Sequence, residues 1–431
     1  MRFLSGDQNG LIKSIKINLN DVDVNGAGVS TSTITQDDID PTRSVQKMEY
    51  NRETNKVGLL GYSVIILTIF QLSTARADSS IQQYEFNSED KLNLLNEWNE
   101  PRFKGGDYYV GLSTLGRGLV AATSSGHWSY KASKAEERYL SLPTNLKDMR
   151  VSPNGSTFAY GGLEVDLSIW DAKRALEISE NTPTAPKVDS IQGATKKERK
   201  KAKDQLLDGE VWRAKNLPPD NLNLRVPIHI TSLDYISETN IITGSANGSV
   251  RLYDTRASKK PTIVNNDLIK SSSVRYLRRG EHEYNVFVSD NNSNLFNVDI
   301  RNLKLINGYK GIGGAINTIA PTQYKEISLS GAMDKYLRLH TSIVPPEILG
   351  KNPTTKANIF SKVFVKSTPT VLEWDGVIPV EETKKRVERT PESDESEGEL
   401  DDVLQDMETV TGEDMKVKRK AEGRRSKKKR V

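Results

Sequence analysis

The sequence predicts an all-β fold, a seven-bladed β-propeller. One pattern recurs seven times, successive copies lie roughly 40 to 47 residues apart outside two stretched intervals, and each interval has room for four short strands. The 431 residues exceed the usual single-domain size, but repeat arrays are an ordinary exception to counting domains by length. The pattern is an apolar triplet, small residues, an Asp/Asn/Gly turn and an alternating strand, often closed by an aromatic residue and Asp.

Taken in order, the copies are MRFLSGDQNGLIKSIKI at the N-terminus, STARADSSIQQYEF from Ser73, VAATSSGHWSYKA from Val120 and FAYGGLEVDLSIWD from Phe158. They continue with IITGSANGSVRLYD from Ile241, VFVSDNNSNLFNVD from Val286 and ISLSGAMDKYLRLH from Ile327. Asn9-Gly10 and Asn247-Gly248 supply the positive φ of tight hairpin turns, while Ile169, Val250 and Leu252 alternate with polar neighbours at strand period. A strand of this kind buries one face against the next blade. A single blade cannot cover both its faces, so the N-terminal strands are expected to close a ring against the last ones, near Lys362 to Trp374. The propeller is placed over residues 1–380.

The second blade is the least regular. Val45 to Tyr50 and Ser80 to Phe86 look like a strand pair, separated by an apolar stretch, VGLLGYSVIILTIF, within an expected insertion at about 57–73. Its roughly 14 apolar residues fall short of the ~20 that cross a bilayer, so a buried strand or an inserted segment is expected and a membrane anchor is not.

Composition narrows the chemistry. With no cysteine, disulfides, thiol nucleophiles and cysteine-type zinc fingers are excluded, and a reducing compartment is permitted. The opening residues lack the apolar core of a secretory signal. The four histidines, His127, His229, His282 and His340, stand in separate blades without metal-ligand spacing, so packing is the default role of each. No Gly-x-Ser-x-Gly elbow, phosphate loop or His-Glu-x-x-His motif is present, and Gly311 to Gly314 reads as a turn between strands. No catalytic site, cofactor or metal is expected. Paired carboxylates near a propeller axis could do acid-base work, but sequence does not place them.

The net charge of +4 hides two basic clusters. An insertion expected at about 182–223 carries Lys196, Lys197, Arg199, Lys200, Lys201 and Lys203, which would meet several phosphates at once or form a solvated helix. From 381 onward Pro, Ser, Gly and charge replace the strand pattern, and a disordered tail is expected. Its first part is acidic, with Leu400, Val403, Leu404 and Met407 spaced for a partner-docking helix, and Ser393 and Ser396 sit where phosphorylation would add negative charge. Its end, with Lys418, Arg419, Lys420, Arg424, Arg425, Lys427, Lys428, Lys429 and Arg430, suits nuclear import, RNA phosphates or both.

Trp170-Asp171, with Tyr253-Asp254 and Val298-Asp299 as variants, resembles the WD-repeat family, which makes the expected fold a WD40-type propeller. Gly126-His127 is misplaced for the usual Gly-His pair, so the Asp-His-Ser-Trp network of ideal WD blades is not assumed. Glu210-Val211-Trp212-Arg213-Ala214-Lys215-Asn216-Leu217-Pro218, then Asp220 and Leu224-Arg225-Val226-Pro227-Ile228, resembles a motif of the Nop-seven-associated WD-repeat family of fungi and its animal WD-repeat counterpart. The likeness extends to the opening MRFLSGDQNGLIKSI, to GAMDKYLRLH and to the basic C-terminus. It implies a nucleolar factor on pre-60S particles that contacts pre-rRNA and assembly factors, supports rRNA processing and is released by a AAA-type ATPase. A monomer within a large complex, away from membranes, is expected.

On this reading Trp212, Arg213, Lys215, Asn216 and Arg225 are the candidate partner or RNA contacts, with anchoring of the insertion as the other role for Trp212. Fold and charge by themselves leave a chromatin- or histone-binding scaffold, or a cytoplasmic one, open.

Overall fold

The computed structural model describes residues 1–35, 38–60, 63–86, 91–133, 136–178, 205–219, 222–324, 326–346 and 357–377, with backbone alone for 52–69 and 133. They form seven four-stranded antiparallel sheets. Blade I takes β1 (Arg2–Asp7), β2 (Ile12–Ile17) and β3 (Val29–Thr33) from the start of the chain and its innermost strand, β28 (Pro369–Trp374), from much later. Blade II is β4 (Val45–Leu60) to β7 (Leu92–Asn99), and blade III is β8 (Tyr109–Leu115) to β11 (Glu136–Ser141). Blade IV comprises β12 (Leu146–Val151), β13 (Thr157–Gly162), β14 (Val165–Asp171) and β15 (Glu210–Arg213). Blades V, VI and VII run from β16 (Ile230–Tyr235) to β19 (Ile263–Asn265), from β20 (Val274–Arg279) to β23 (Lys304–Tyr309), and from β24 (Ile316–Pro321) to β27 (Ile359–Phe364).

The expected WD40-type propeller is therefore observed, and each of the seven sequence copies falls on the two middle strands of one blade. Closure also follows expectation: Phe3 pairs with Trp374 and Ser5 with Leu372. Polar bonds lock the seam. Arg2 Nε binds Asp375 at 2.9 Å, and buried Lys13 reaches Asp7 at 3.0 Å, the Val365 carbonyl and the Ser367 hydroxyl.

Two features explain how the blades meet. All seven innermost strands carry a register shift at their second residue: Gln46, Val110, Lys147, Thr231, Arg275, Asn317 and Thr370. Such a bulge re-aims a side chain, and here several point to the next blade. Gln46 Oε1 accepts from the Tyr109 N–H at 2.7 Å, Thr231 Oγ1 donates to the Val274 carbonyl at 2.7 Å, and Asn317 Nδ2 donates to that of Pro369 at 3.0 Å. The second feature is the small residue of the repeat. A Cβ on Gly6, Gly161, Gly244 or Gly331 would come within 2.3–2.9 Å of Val45, Ile230, Val274 or Pro369, the first residue of the next innermost strand. The small residues of the pattern are thus inter-blade contacts. Apolar clusters fill the space outside them, such as Leu167, Ile169 and Trp212 of blade IV against Leu233, Ile241 and Tyr253 of blade V; each fully buried side chain of this kind contributes about 1.5–3 kcal/mol.

The second blade corrects the sequence reading. Val45 to Tyr50 do not pair with Ser80 to Phe86, because β5 (Ser63–Arg76) runs between them and pairs with both β4 and β6 (Ser80–Phe86). The apolar stretch 57–70 is divided over the far ends of β4 and β5, which pair with each other as far as Leu60 and Ser63. It continues two strands of the blade rather than separating them. The expected insertion 182–223 likewise overlaps β15, so its part from Glu210 onward includes the outer strand of blade IV.

Candidate partner-binding surface

The motif Glu210 to Ile228 begins as the outer strand of blade IV. Strand alternation sends Glu210 and Trp212 inward and Val211 outward, and the burial agrees: Val211 is 49% exposed and Trp212 only 7%. Trp212 packs edge-on to Tyr253 of blade V, ring centroids 5.9 Å apart. Of the two roles expected for it, its surroundings are those of an anchor.

Glu210 is the residue that the motif reading missed. Its carboxylate is buried, and it accepts from the Ser168 hydroxyl at 2.5 Å, from Arg213 Nε at 2.6 Å and from the Leu207 N–H at 2.9 Å. Ser168 Oγ in turn accepts from Trp170 Nε1 at 3.0 Å, which also donates to the Tyr160 hydroxyl at 3.1 Å. In this blade a Glu-Ser-Trp-Tyr network fastens the outer strand, in place of the Asp-His-Ser-Trp arrangement of ideal WD blades. The available signal was period two, which puts Glu210 on the same face as Trp212. Arg213 is spent on this carboxylate and is half-buried.

Beyond β15 the chain crosses to the next blade, where the Lys215 N–H donates to the Lys259 carbonyl at 2.7 Å. Asn216 staples the loop to itself: its Nδ2 donates to the Val226 carbonyl at 2.7 Å, and its Oδ1 accepts from the Leu217 N–H at 2.8 Å. The return passes Arg225, which pairs with Glu164 at 3.0 Å with both side chains more than half exposed, and ends where Glu164 N–H meets the Ile228 carbonyl. The Lys215 side chain, Leu222, Leu224 and Arg225 face outward, with Leu222 78% exposed and Leu224 60% exposed. The sequence-derived residues thus divide: Trp212, Arg213 and Asn216 build the loop, whereas Lys215 and Arg225 are presented by it. Asp220, the cluster Lys196 to Lys201 and the tail from Lys418 to Arg430 lie outside the described residues.

His340 is buried, with its ring 4.8 Å from Tyr309 and Nε2 at 2.6 Å from Ser330 Oγ; burial lowers its pKa to about 3. Among the described residues no group of three or more His, Asp or Glu could hold a metal ion, and no helix is long and apolar enough to cross a membrane.

No family model matches the chain. A WD repeat-containing protein of Dictyostelium discoideum is 23% identical, over 47% of this chain and 33% of its own length. The ribosome biogenesis protein NSA1 of Meyerozyma guilliermondii is 25% identical, over 42% of this chain and 46% of its own. Human WD repeat-containing protein 74 is 26% identical, over 30% and 34%. The chain therefore spans a third to under a half of the length of the curated relatives it matches. Among solved structures, Chaetomium thermophilum Sqt1, crystallised with the N-terminus of ribosomal protein L10, superposes with a TM-score of 0.50 at 12% identity, over 76% of this chain and 78% of that one, a likeness of fold. Relatives that bear the family's names match part of the chain: it is a WD-repeat propeller similar to the Nop-seven-associated proteins.

Proposed function

We propose that this chain is a non-catalytic ribosome biogenesis factor of the nucleolus, a component of pre-60S particles that serves large-subunit assembly and rRNA processing. The observation that carries the reading is that relatives matched over part of the chain are named ribosome biogenesis protein NSA1 and WD repeat-containing protein 74. In this reading the ring is a rigid frame. The loop after β15 offers Lys215, Leu222, Leu224 and Arg225 to an assembly factor or to pre-rRNA. The lysines near 196–203 and the basic C-terminus hold RNA phosphates, and the tail also directs nuclear import. Release by a AAA-type ATPase belongs to the same proposal.

The test is purification of the tagged chain from growing cells at two salt concentrations, with co-purified proteins and RNA identified. Large-subunit precursor RNA with assembly factors is the expected outcome, and RNA recovery falls as salt rises. Histones or chromatin remodellers in their place, with no precursor RNA, overturn the proposal.

A further inference from the structure

The fourth residue after the first paired position of each innermost strand is Glu373 in blade I, Glu49 in II, Arg150 in IV, Asp234 in V and Arg278 in VI, and an uncharged residue in III and VII. One shared register thus sets these residues at one level around the axis. Arg150, Asp234, Arg278 and Glu373 line a cavity of about 550 Å³, which also takes in Arg279 at the end of β20 and Glu281 just beyond it. Three arginines and three carboxylates therefore share one wall.

The charges of this wall balance, but its hydrogen bonds do not. Asp234 has both oxygens answered by the backbone, Oδ2 by the Arg279 N–H at 2.8 Å and Oδ1 by the Tyr235 N–H at 3.0 Å. Glu281 is exposed, so water serves it. The three arginines are half-buried and less well served. Arg278 meets Glu373 at 3.7 Å and Arg150 meets Asp148 at 3.8 Å, contacts of charge that are too long for hydrogen bonds. Arg150 has the Tyr276 hydroxyl within reach, yet its Nε is buried without a hydrogen-bond partner. No ion pair or side-chain hydrogen bond links Arg279 to the described residues. Each guanidinium carries five N–H donors, and a donor withdrawn from water without an acceptor costs free energy. What the wall lacks is an acceptor.

We propose that this cavity is a binding site for one carboxylate, the side chain of an aspartate or glutamate of a partner protein, received by Arg150, Arg278 and Arg279. A carboxylate supplies two acceptor oxygens in the geometry that the guanidinium fork matches. The same wall holds Val151, Pro153 and Pro321, apolar surface that lowers the local dielectric and strengthens the pairing. A lysine or arginine would add donors where donors are already in surplus. A nucleic-acid strand gains little, because a polyanion needs net positive charge and its further phosphates would meet Glu281 and Glu373. The inference stands apart from the ribosomal reading, since any protein partner with a projecting carboxylate satisfies it.

The test titrates the full chain with acetyl-Gly-Glu-Gly-amide, its glutamine and arginine counterparts and a short uridine oligomer, observed by saturation-transfer NMR. The glutamate peptide binds several-fold more tightly than the other two peptides, and the RNA oligomer does not displace it. Arg279→Gln weakens it about tenfold, whereas Arg256→Gln, which removes an exposed cation outside the cavity, leaves it unchanged. No binding, equal or tighter binding of the glutamine or arginine peptide, displacement by the RNA oligomer, or the same response to both substitutions overturns the proposal. Should Arg279→Gln misfold, Arg278→Gln and the order of the peptides on the unaltered chain still decide it.

Discussion

Two glutamates of this propeller have opposite surroundings. Glu210, at the outer edge of blade IV, has both carboxylate oxygens engaged by Ser168, Arg213 and the Leu207 N–H. Glu49, near the axis, has one oxygen without a hydrogen-bond partner and is pushed up to about pKa 7. A buried carboxylate with every lone pair answered fixes structure, because removing it strands its partners. One left half-answered costs stability in the free molecule and gains from whatever completes it. The outer network is thus a fastening, whereas Glu49 is a local cost to the fold.

The largest effect expected from this contrast is at Glu210. Glu210→Ala leaves Arg213 and Ser168 without their acceptor and should lower stability by about 3–5 kcal/mol, read from chemical denaturation. A loss below about 1 kcal/mol would break the comparison at its firm end. Glu49→Gln should act with the opposite sign. A carboxyl whose folded pKa lies above its unfolded value contributes stability that is present at low pH and lost as pH rises through the window from 4.5 to about 7. At pH 8 the substitution therefore stabilises by at most about 3.5 kcal/mol, at about 1.4 kcal/mol per pKa unit, and at pH 4 it changes little. Denaturation midpoints at the two pH values check both statements.

His340 sharpens the same argument in acid. Its folded pKa of about 3 lies below the ordinary value of 6.5, so its contribution is present above pH 6.5 and is lost as pH falls toward 3. About 2 kcal/mol of stability should be gone at pH 5, and a His340→Gln variant should lose less than the parent between pH 7 and pH 5. The smallest effect is at the surface. Arg225→Ala removes an exposed ion pair with Glu164 and should cost less than about 0.5 kcal/mol, while weakening recovery of the particle in the purification experiment. A variant that is both stable and fully recovered would remove Arg225 from the contact surface.

The fold was legible because its signal is local. The middle hairpin of each blade carries a turn such as Asn247-Gly248, where φ is positive at Gly248 and a Cβ would strike the Ile269 carbonyl, together with a small residue that admits the next blade. The innermost strands spoke less clearly. Charged residues such as Arg150 and Glu373 alternate in them as they would on a solvent-facing strand, and only closure of the ring turns that face inward. The long hairpin of β4 and β5 was hidden because an apolar run of this length carries no period to separate strand from insertion. In the motif, Trp212 drew the eye as a contact because aromatic residues dominate binding surfaces. The alternation of Glu210, Val211 and Trp212 held the contrary information.

Hydrogen exchange on the free chain and on the chain within the particle that it co-purifies with tests most directly the division between fastenings and working surfaces. New protection is predicted at 214–219 and 222–228, while β14 and β15 are equally protected in both states. Protection confined to other rim loops, with residues 214–219 and 222–228 unchanged, would contradict the account.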